Sequence, residues 1–263
     1  MCTPIRHVVA ISPTYLEPVG MLQAFLEKLE TVKKQLIHQE IGFFHYFLDD
    51  GSQAMSEELG RSLIVHNKNL GLTVTLIEGY EAVFGGRKGA RPDLVVRIDC
   101  QEHDPLRIPE IVDHFSHTNL NALLLPVCYW VAGQPRTPMW RTLEQIVDFR
   151  RALKPLKPEV ILAIYNQVFP LGFQAYRTDF LEGLLPDFRR STTIFRELTG
   201  KEPSWGFDLL AIMLAARDDL DNIDFRFGGW MEPWLENRGA DKIAAQQERA
   251  KTMIEVAKRL GCA

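Results

Sequence analysis

The chain has 263 residues, 46% of them hydrophobic, which is enough for one large α/β domain with a sizeable core. Lys and Arg number 30 against 34 Asp and Glu, a net charge of −4, whereas nucleic-acid-binding proteins usually carry a basic surplus. We therefore expect no nucleic-acid partner.

Short β-branched runs alternate with amphipathic segments through the first half of the chain. Leu22, Phe25 and Leu29 recur at helical spacing, and Pro13 lacks the N–H that a strand needs, so we expect the first strand to end before it. The alternation predicts a mostly parallel, doubly wound, Rossmann-like sheet. The predicted strands are residues 7–12, 43–48, 63–65, 94–98 and 121–129, and the predicted helices are residues 20–38, 72–84 and 108–117.

The second half is less regular and mostly helical. Its predicted helices are residues 142–153, 208–217 and 240–260, with a helical turn at 179–185, an edge strand at 223–227 and an ambiguous segment at 159–168. The last helix carries both charge signs, and much of its apolar side is Ala. We therefore expect that side to pack against protein rather than to anchor in a bilayer.

The strand at residues 94–98 ends abruptly in polar residues, Asp99, Gln101, Glu102, His103 and Asp104. Ligands of open α/β sheets bind outside the carboxyl ends of the strands. Carboxylate, amide and imidazole groups there suit a divalent cation, so one hypothesis is a metal-assisted site. The alternative is a solvated turn in which Asp104 caps the following helix.

Two other strand ends carry polar groups at the same predicted edge. Tyr15 offers a ring to stack on a base, Glu17 an acceptor for amino groups, and Asp50 an acceptor for a ribose hydroxyl or a base N–H. Each residue has a structural alternative. Tyr15 could be a core aromatic, Glu17 a carboxylate in the first turn of a helix, and Asp50 part of an Asp-Gly turn.

The order of these motifs resembles the nucleotide-sugar-dependent glycosyltransferases of the GT-A fold, and is most similar to the polyprenyl- or dolichyl-phosphate mannosyltransferase type. The motifs are Pro13-Thr14-Tyr15-x-Glu17, Asp49-Asp50-Gly51-Ser52, Asn69-x-Gly71-Leu72 and the Asp-rich strand end before Pro105. The resemblance implies a single GT-A domain over residues 1–263. Residues 1–130 would bind the nucleotide sugar, and residues 131–263 would form the acceptor side with the C-terminal helix.

In that family the strand end reads Asp-x-Asp-x-Gln and holds Mg²⁺ or Mn²⁺ on the diphosphate. The resemblance places Asp99, Gln101 and His103 at these positions, so Gln101 replaces one carboxylate and His103 replaces the amide. Imidazole suits a softer ion than Mg²⁺, so His103 favours Mn²⁺. The missing carboxylate leaves open whether metal-dependent activity is retained.

The resemblance also implies a set of binding residues and a base. Gln174 and Arg177 match a segment near the transferred sugar and phosphates, and Asp208 takes the place of an acidic residue that serves as base or acceptor ligand. Asp208 also precedes an apolar helix, where it would be a good N-cap. The implied nucleotide-sugar-binding residues are Pro13, Tyr15, Glu17, Asp50, Asn69, Gly71, Asp99, Gln174 and Arg177.

The expected activity is metal-assisted transfer of a hexose from a GDP- or UDP-sugar to a sugar or lipid-phosphate acceptor. The alternative is a non-catalytic nucleotide-sugar-binding protein that kept the GT-A fold, which Gln101 favours. The four cysteines lack CxxC spacing and the N-terminus lacks a signal-peptide pattern, so we expect a cytoplasmic protein. No apolar run reaches spanning length, which leaves peripheral membrane contact and homo-oligomer formation open.

Overall fold

A computed structural model describes residues 3–52, 62–85, 91–100, 103–129, 138–165, 168–169, 172–204, 206–226, 228–231 and 240–262. The chain forms two compact units. The first comprises residues 1–123 and 172–186, and the second comprises residues 124–171 and 187–263. The prediction of one GT-A domain over the whole chain stays a prediction.

The described part of the chain contains ten strands and eight α-helices. The strands are β1 (His7–Thr14), β2 (Gly42–Asp49), β3 (Ser62–Val65), β4 (Leu94–Ile98), β5 (Ala122–Leu124), β6 (Val127–Tyr129), β7 (Val168–Phe169), β8 (Phe173–Arg177), β9 (Ile223–Phe225) and β10 (Gly229–Met231). The helices are α1 (Val19–His38), α2 (Leu72–Phe84), α3 (Ile108–His117), α4 (Met139–Leu153), α5 (Pro158–Tyr165), α6 (Thr178–Thr199), α7 (Phe207–Asp219) and α8 (Ala240–Arg259). None of the helices in these ranges is long and apolar enough to cross a membrane.

The larger sheet has seven strands in the order β3-β2-β1-β4-β8-β5-β9. The pairs β1·β2, β1·β4 and β2·β3 are parallel, whereas β8 runs antiparallel to β4. The sheet is therefore mixed and mostly parallel, which confirms the predicted α/β, Rossmann-like class. The parallel strands β1 to β4 all belong to the first unit, and their carboxyl ends lie at one edge.

Apolar periodicity explains the core of the first unit. Every residue of β4 is buried, as its β-branched sequence predicts for a strand covered on both faces. In α1 the buried side chains recur every three or four residues, so one face of the helix is apolar. That face consists of Leu22, Phe25, Leu29, Val32 and Leu36.

The second unit is mainly helical and holds a small sheet in the order β10-β6-β7. Helix α8 buries its apolar side, which includes Ala250, Met253 and Ala257, and its main helical neighbour is α7. A Cβ on Gly206, just before α7, would lie 2.6 Å from Met253 Cγ. The expected packing of the C-terminal helix against protein is confirmed.

Three predicted elements differ from the observed ones at a proline. Strand β1 continues through Pro13 to Thr14, so proline does not end it. The strand predicted at residues 121–129 is two strands, β5 and β6, separated at Pro126 and placed in different sheets. The helical turn predicted at residues 179–185 is the 22-residue helix α6, which accommodates Pro186. Of the ambiguous segment at residues 159–168, residues 159–165 belong to helix α5 and residue 168 begins β7. Residues 166–167 lie outside the described ranges.

Candidate functional site

The carboxyl ends of β1, β2 and β4 bring the predicted donor-site residues to one edge of the first unit. Thr14 pairs with Asp49 in register, and the Asp50 N–H donates to the Thr14 carbonyl over 2.9 Å. β4 lies on the other side of β1 and leads into Asp99. The polar residues that follow these strands therefore face a common edge, as the sequence predicts.

Asp50 organises the loop that follows β3. Its Oδ1 accepts from the Leu70 N–H at 2.7 Å and lies 2.9 Å from His66 Nδ1, and its Oδ2 accepts from the Gly71 N–H at 2.9 Å. The carboxylate is buried. Both oxygens are thus engaged inside the protein, and a ribose or base would have to compete with the loop for them.

Two glycines allow this loop to lie close to the end of β2. Gly51 has φ +98°, and a Cβ there would lie 2.5 Å from the Lys68 carbonyl carbon. Gly71 has φ +93° and is the N-cap of α2. Both positions favour glycine because L side chains rarely adopt this backbone region. The loop leaves Asn69 exposed beside the edge.

The turn after β1 exposes one aromatic ring and buries one carboxylate. Tyr15 is 45% exposed, whereas Glu17 is buried and accepts a hydrogen bond from the Tyr15 N–H. Leu16 has φ +60°, an uncommon conformation for leucine, and its N–H donates to Ser52 Oγ over 2.9 Å. Pro13 is the second-last residue of β1, where its ring restrains the backbone at the end of the strand.

Asp99 is held by a buried guanidinium. Arg97 Nε donates to Asp99 Oδ1 at 3.2 Å and Arg97 Nη2 to Oδ2 at 3.0 Å, and the Arg97 side chain has no exposed surface. The Asp99 N–H donates to the Gly172 carbonyl over 2.8 Å, and a Cβ on Gly172 would meet Asp99 Cγ at 2.2 Å. Asp99 therefore has a fixed carboxylate whose charge is already balanced.

The described residues at this edge include the carboxyl groups of Glu17, Asp49 and Asp99. Burial raises the pKa of the Glu17 carboxyl and the charges of Asp99 and Asp49 raise it further, against hydrogen bonds from backbone N–H groups that lower it. Asp49 is buried, and its Oδ2 has no hydrogen-bond partner among the described residues. Burial also raises the pKa of the Cys100 thiol, which lies beside Ser12 and is not a reactive thiolate.

The predicted metal ligands form an incomplete set. Within the described ranges, no group of three or more His, Cys, Asp or Glu residues is placed to hold a metal ion. Gln101 and Glu102 lie outside those ranges, and His103 packs edge-on against Phe173 with ring centroids 5.4 Å apart. Asp99 is engaged by Arg97, so these residues alone do not fit a metal centre. Asp104 caps a 3-10 turn at Pro105–Arg107 by accepting from the Leu106 N–H at 3.2 Å, whereas the following helix, which it was predicted to cap, has Arg107 as its N-cap.

The remaining predicted residues lie in three different places. Gln174 is buried in β8 opposite Arg97, and its Oε1 accepts from the Tyr176 hydroxyl. Arg177 pairs with Leu94 at the other end of β4, because β8 runs antiparallel. The structure does not bring Arg177 to the edge that holds Asp99.

The Arg177 guanidinium instead donates to backbone carbonyls around the end of α3. The acceptors are the carbonyls of Thr3, Phe115, Thr118 and Leu120. Asp208 belongs to the second unit, in the first turn of α7, and is buried. The N-cap of α7 is Gly206 with φ +99°, so the N-cap interpretation of Asp208 was wrong.

The sequence analysis missed Arg97, Gly172 and His66. An arginine inside a buried β-branched run requires a carboxylate partner, and Asp99, two residues on, lies on the same face of the strand. That signal was available. The roles of Gly172 and His66 depend on contacts distant in sequence, so the sequence carried no comparable signal for them.

Three solved structures resemble the whole chain at low sequence identity. A mannosyltransferase from Pyrobaculum calidifontis, solved with GDP-Man and Mn²⁺, has a TM-score of 0.53 and 12% identity, covering 97% of this chain and 69% of that one. Glucosyl-3-phosphoglycerate synthase from Mycobacterium tuberculosis, solved with phosphoglyceric acid, has a TM-score of 0.51 and 16% identity, covering 96% and 80%.

Mannosyl-3-phosphoglycerate synthase from Rubrobacter xylanophilus has a TM-score of 0.50 and 11% identity, covering 98% of this chain and 74% of that one. No protein-family model and no curated protein sequence matches the chain. Identities this low establish a shared fold and not a shared substrate. The chain has the GT-A fold, the fold of these nucleotide-sugar glycosyltransferases.

Proposed function

We propose that the chain transfers a hexose from a nucleoside-diphosphate sugar bound at the polar edge of the first unit. The observation that carries this proposal is the meeting of three motifs there, the Thr14–Glu17 turn, the Asp49–Ser52 turn and Asp99. The shared fold supports it, because the similar structures are named as sugar transferases and synthases.

On the donor side, the exposed ring of Tyr15 stacks on the base, with Pro13 shaping the strand end and Glu17 accepting from the base amino groups. Asn69 and Gly71 lie beside the sugar nucleotide. Asp50 acts through the loop that it holds, since both of its oxygens already accept hydrogen bonds. Loss of Asp50 should then disorder the nucleotide loop as well as weaken binding.

On the acceptor side, Asp208 is the proposed base that takes the proton of the attacking hydroxyl. Gln174, buried beside Arg97, supports the part of the edge that faces the transferred sugar. The acceptor class is a sugar or a phosphate-bearing molecule such as a lipid phosphate. The names of two similar structures, a glucosyl-3-phosphoglycerate synthase and a mannosyl-3-phosphoglycerate synthase, support a phosphorylated acceptor.

A divalent cation, Mn²⁺ or Mg²⁺, is the proposed cofactor, and its role is to neutralise the leaving diphosphate. The Mn²⁺ bound with GDP-Man in the Pyrobaculum mannosyltransferase supports it. Asp99 and His103 are the described residues that would contribute to its binding, with Gln101 as the third, and together they would supply only part of its coordination. This arrangement requires Asp99 to share its carboxylate with Arg97.

The second candidate is a non-catalytic protein that binds nucleotide sugars. The Arg97–Asp99 ion pair favours it, because a carboxylate that is already neutralised binds a dication less strongly. The Gln101 position favours it too, because a neutral amide there supplies no charge. Such a protein would bind the donor without releasing nucleoside diphosphate.

The experiment is a screen of GDP- and UDP-sugars by thermal shift, followed by an assay for released nucleoside diphosphate with Mn²⁺, with Mg²⁺ and with chelator. Transfer predicts that one donor raises the melting temperature and yields nucleoside diphosphate in the presence of a phosphorylated acceptor. Binding without release in any condition supports the second candidate. Equal turnover in chelator removes the cation from the proposal.

A further inference from the structure

Helix α4 in the second unit carries an exposed apolar stripe. Met139, Leu143 and Val147 recur every four residues, so they lie on one face, and Trp140 adjoins them. All four are exposed, with Trp140 at 56%. The Arg141 guanidinium lies over the Trp140 ring, 5.1 Å from its centroid. Contiguous exposed apolar side chains on one side of a helix are typical of interaction surfaces, unlike singly scattered ones.

This stripe is separate from the face by which α4 packs on its own unit. The packed face contacts α5 and α7, and Phe149 lies against Phe225 with ring centroids 6.3 Å apart. The helix is therefore apolar on two sides, and among the described residues of the unit only one of these sides is buried. The buried residues of the packed face are Thr142, Ile146, Phe149, Ala152 and Leu153.

A basic cluster follows the stripe along the chain. From Arg150 to Lys157 there are four basic residues and no acidic one. Over residues 139–157, five basic residues stand against two acidic ones, a local net charge of +3 in a chain of net charge −4. Arg151, Lys154 and Lys157 are exposed, and Arg150 donates to the Leu220 carbonyl at 3.2 Å. Arg151 forms an ion pair with the exposed Asp148 at 3.7 Å, and the net charge of residues 139–157 remains positive, which suits a negative partner.

The stripe and the basic cluster together indicate which partner the surface binds: a second copy of the chain, another protein or an anionic bilayer. In a twofold dimer whose α4 helices ran parallel, the basic cluster of one copy would face that of the other, which is unfavourable. A stable protein interface needs about 800 Å² on each partner, from roughly 20–30 residues, whereas this stripe is one convex row of four side chains. A row of Trp, Met and Leu flanked by Lys and Arg is suited to the interface of an anionic bilayer.

We propose that the stripe on α4 and the adjacent basic cluster form a peripheral membrane-binding surface that recognises anionic lipid headgroups. The apolar row enters the boundary between headgroups and acyl chains, and Arg151, Lys154 and Lys157 contact lipid phosphates. The C-terminal helix does not take this role, because its apolar side is buried in the second unit. The proposal does not depend on glycosyl transfer.

The test is cosedimentation of the full chain with vesicles of phosphatidylcholine and phosphatidylglycerol at physiological salt. The Trp140→Ser/Leu143→Ser variant should lose about tenfold or more in partitioning, because it removes two inserting side chains. Replacing Arg151, Lys154 and Lys157 with Ser should lose on the order of tenfold to a hundredfold. Pure phosphatidylcholine vesicles and high salt should each reduce binding by the wild type.

The matched control is Ile37→Ser, since Ile37 is 54% exposed on α1 in the first unit. It should bind vesicles as the wild type does. No binding by the wild type, or equal binding by the stripe variants, overturns the proposal. Concentration-dependent dimerisation that the stripe variants abolish also overturns it, in favour of a second copy. If the Ser variant of the stripe does not fold, the variant of the basic cluster decides alone.

Discussion

Each of the two ring nitrogens of His66 contacts a carboxylate. Its Nδ1 lies 2.9 Å from an Asp50 oxygen and its Nε2 lies 3.0 Å from a Glu78 oxygen, with Thr75 Oγ1 3.5 Å from Nδ1. Carboxylates only accept hydrogen bonds, so the doubly protonated ring is the form that can donate to both of them. Burial alone lowers the pKa of His66, but hydrogen bonds and attraction from Asp50 and Glu78 outweigh it and raise the pKa.

The first prediction concerns pH. Because the pKa of His66 is higher in the folded state than in the unfolded state, its contribution to stability is fully present below the unfolded pKa of about 6.5 and is lost as pH rises through the folded pKa. We expect the free energy of unfolding in urea to fall over that window in the wild type. His66→Gln should remove this part of the decline, and an unchanged decline in His66→Gln would contradict the assignment.

The second prediction concerns the ion pair. Asp99→Ala removes the carboxylate that accepts two hydrogen bonds from the fully buried guanidinium of Arg97, which we expect to cost roughly 3 kcal/mol of unfolding free energy. The double variant Arg97→Met/Asp99→Ala should recover most of that loss. Urea denaturation measures both. An equal loss in the double variant would show that packing, and not the charge, is responsible. Activity lost in Asp99→Ala is attributable to the site only where the variant is shown to be folded.

Residue roles were predictable where they depend on local pattern. Tyr15, Asp50 and Asp99 lie at the expected sheet edge because each follows a strand that its sequence identifies. Arg177 lies elsewhere because its position depends on the direction of β8, which no local feature of residues 173–177 reveals. The engagement of Asp50 by Leu70 and Gly71 likewise depends on a loop twenty residues away.

Gly172, just before β8, lies in close contact with Asp99, just after β4. Gly172→Ala would place a Cβ 2.2 Å from Asp99 Cγ, so we expect a loss of about 1–3 kcal/mol in unfolding free energy. Gly183→Ala is the matched control, because Gly183 is exposed in α6 and its Cβ would meet nothing within 4 Å. That substitution should stabilise the chain by about 0.5–1 kcal/mol. Equal effects of the two substitutions would contradict the contact.

Element boundaries were predictable where the hydrophobic period is strong and the ends carry breakers. The predicted bounds of β4, α2 and α3 coincide with the observed ones. Helix α6 exceeds its prediction because its buried face, with Leu181, Leu184 and Phe188, stabilises the helix through Pro186. Tertiary packing there outweighs a local helix breaker, and a single sequence does not show it.

At the scale of the whole molecule, the central claim is that the edge formed by β1, β2 and β4 binds a nucleoside-diphosphate sugar. The exposed ring of Tyr15 is the group that this claim places against the base. Phe44 is a matched aromatic, 48% exposed against 45% for Tyr15, and lies within β2 rather than at the strand ends. Comparing substitutions of the two rings therefore distinguishes binding at a specific site from binding to any exposed aromatic ring.

Isothermal titration calorimetry of GDP- and UDP-sugars into the full chain tests this claim most directly. We predict saturable binding of one donor at one site per chain, weakened about fivefold to a hundredfold by Tyr15→Ala through the loss of stacking, and unchanged by Phe44→Ala. No binding of any nucleotide sugar by the folded wild type, or an equal loss in both variants, would contradict it.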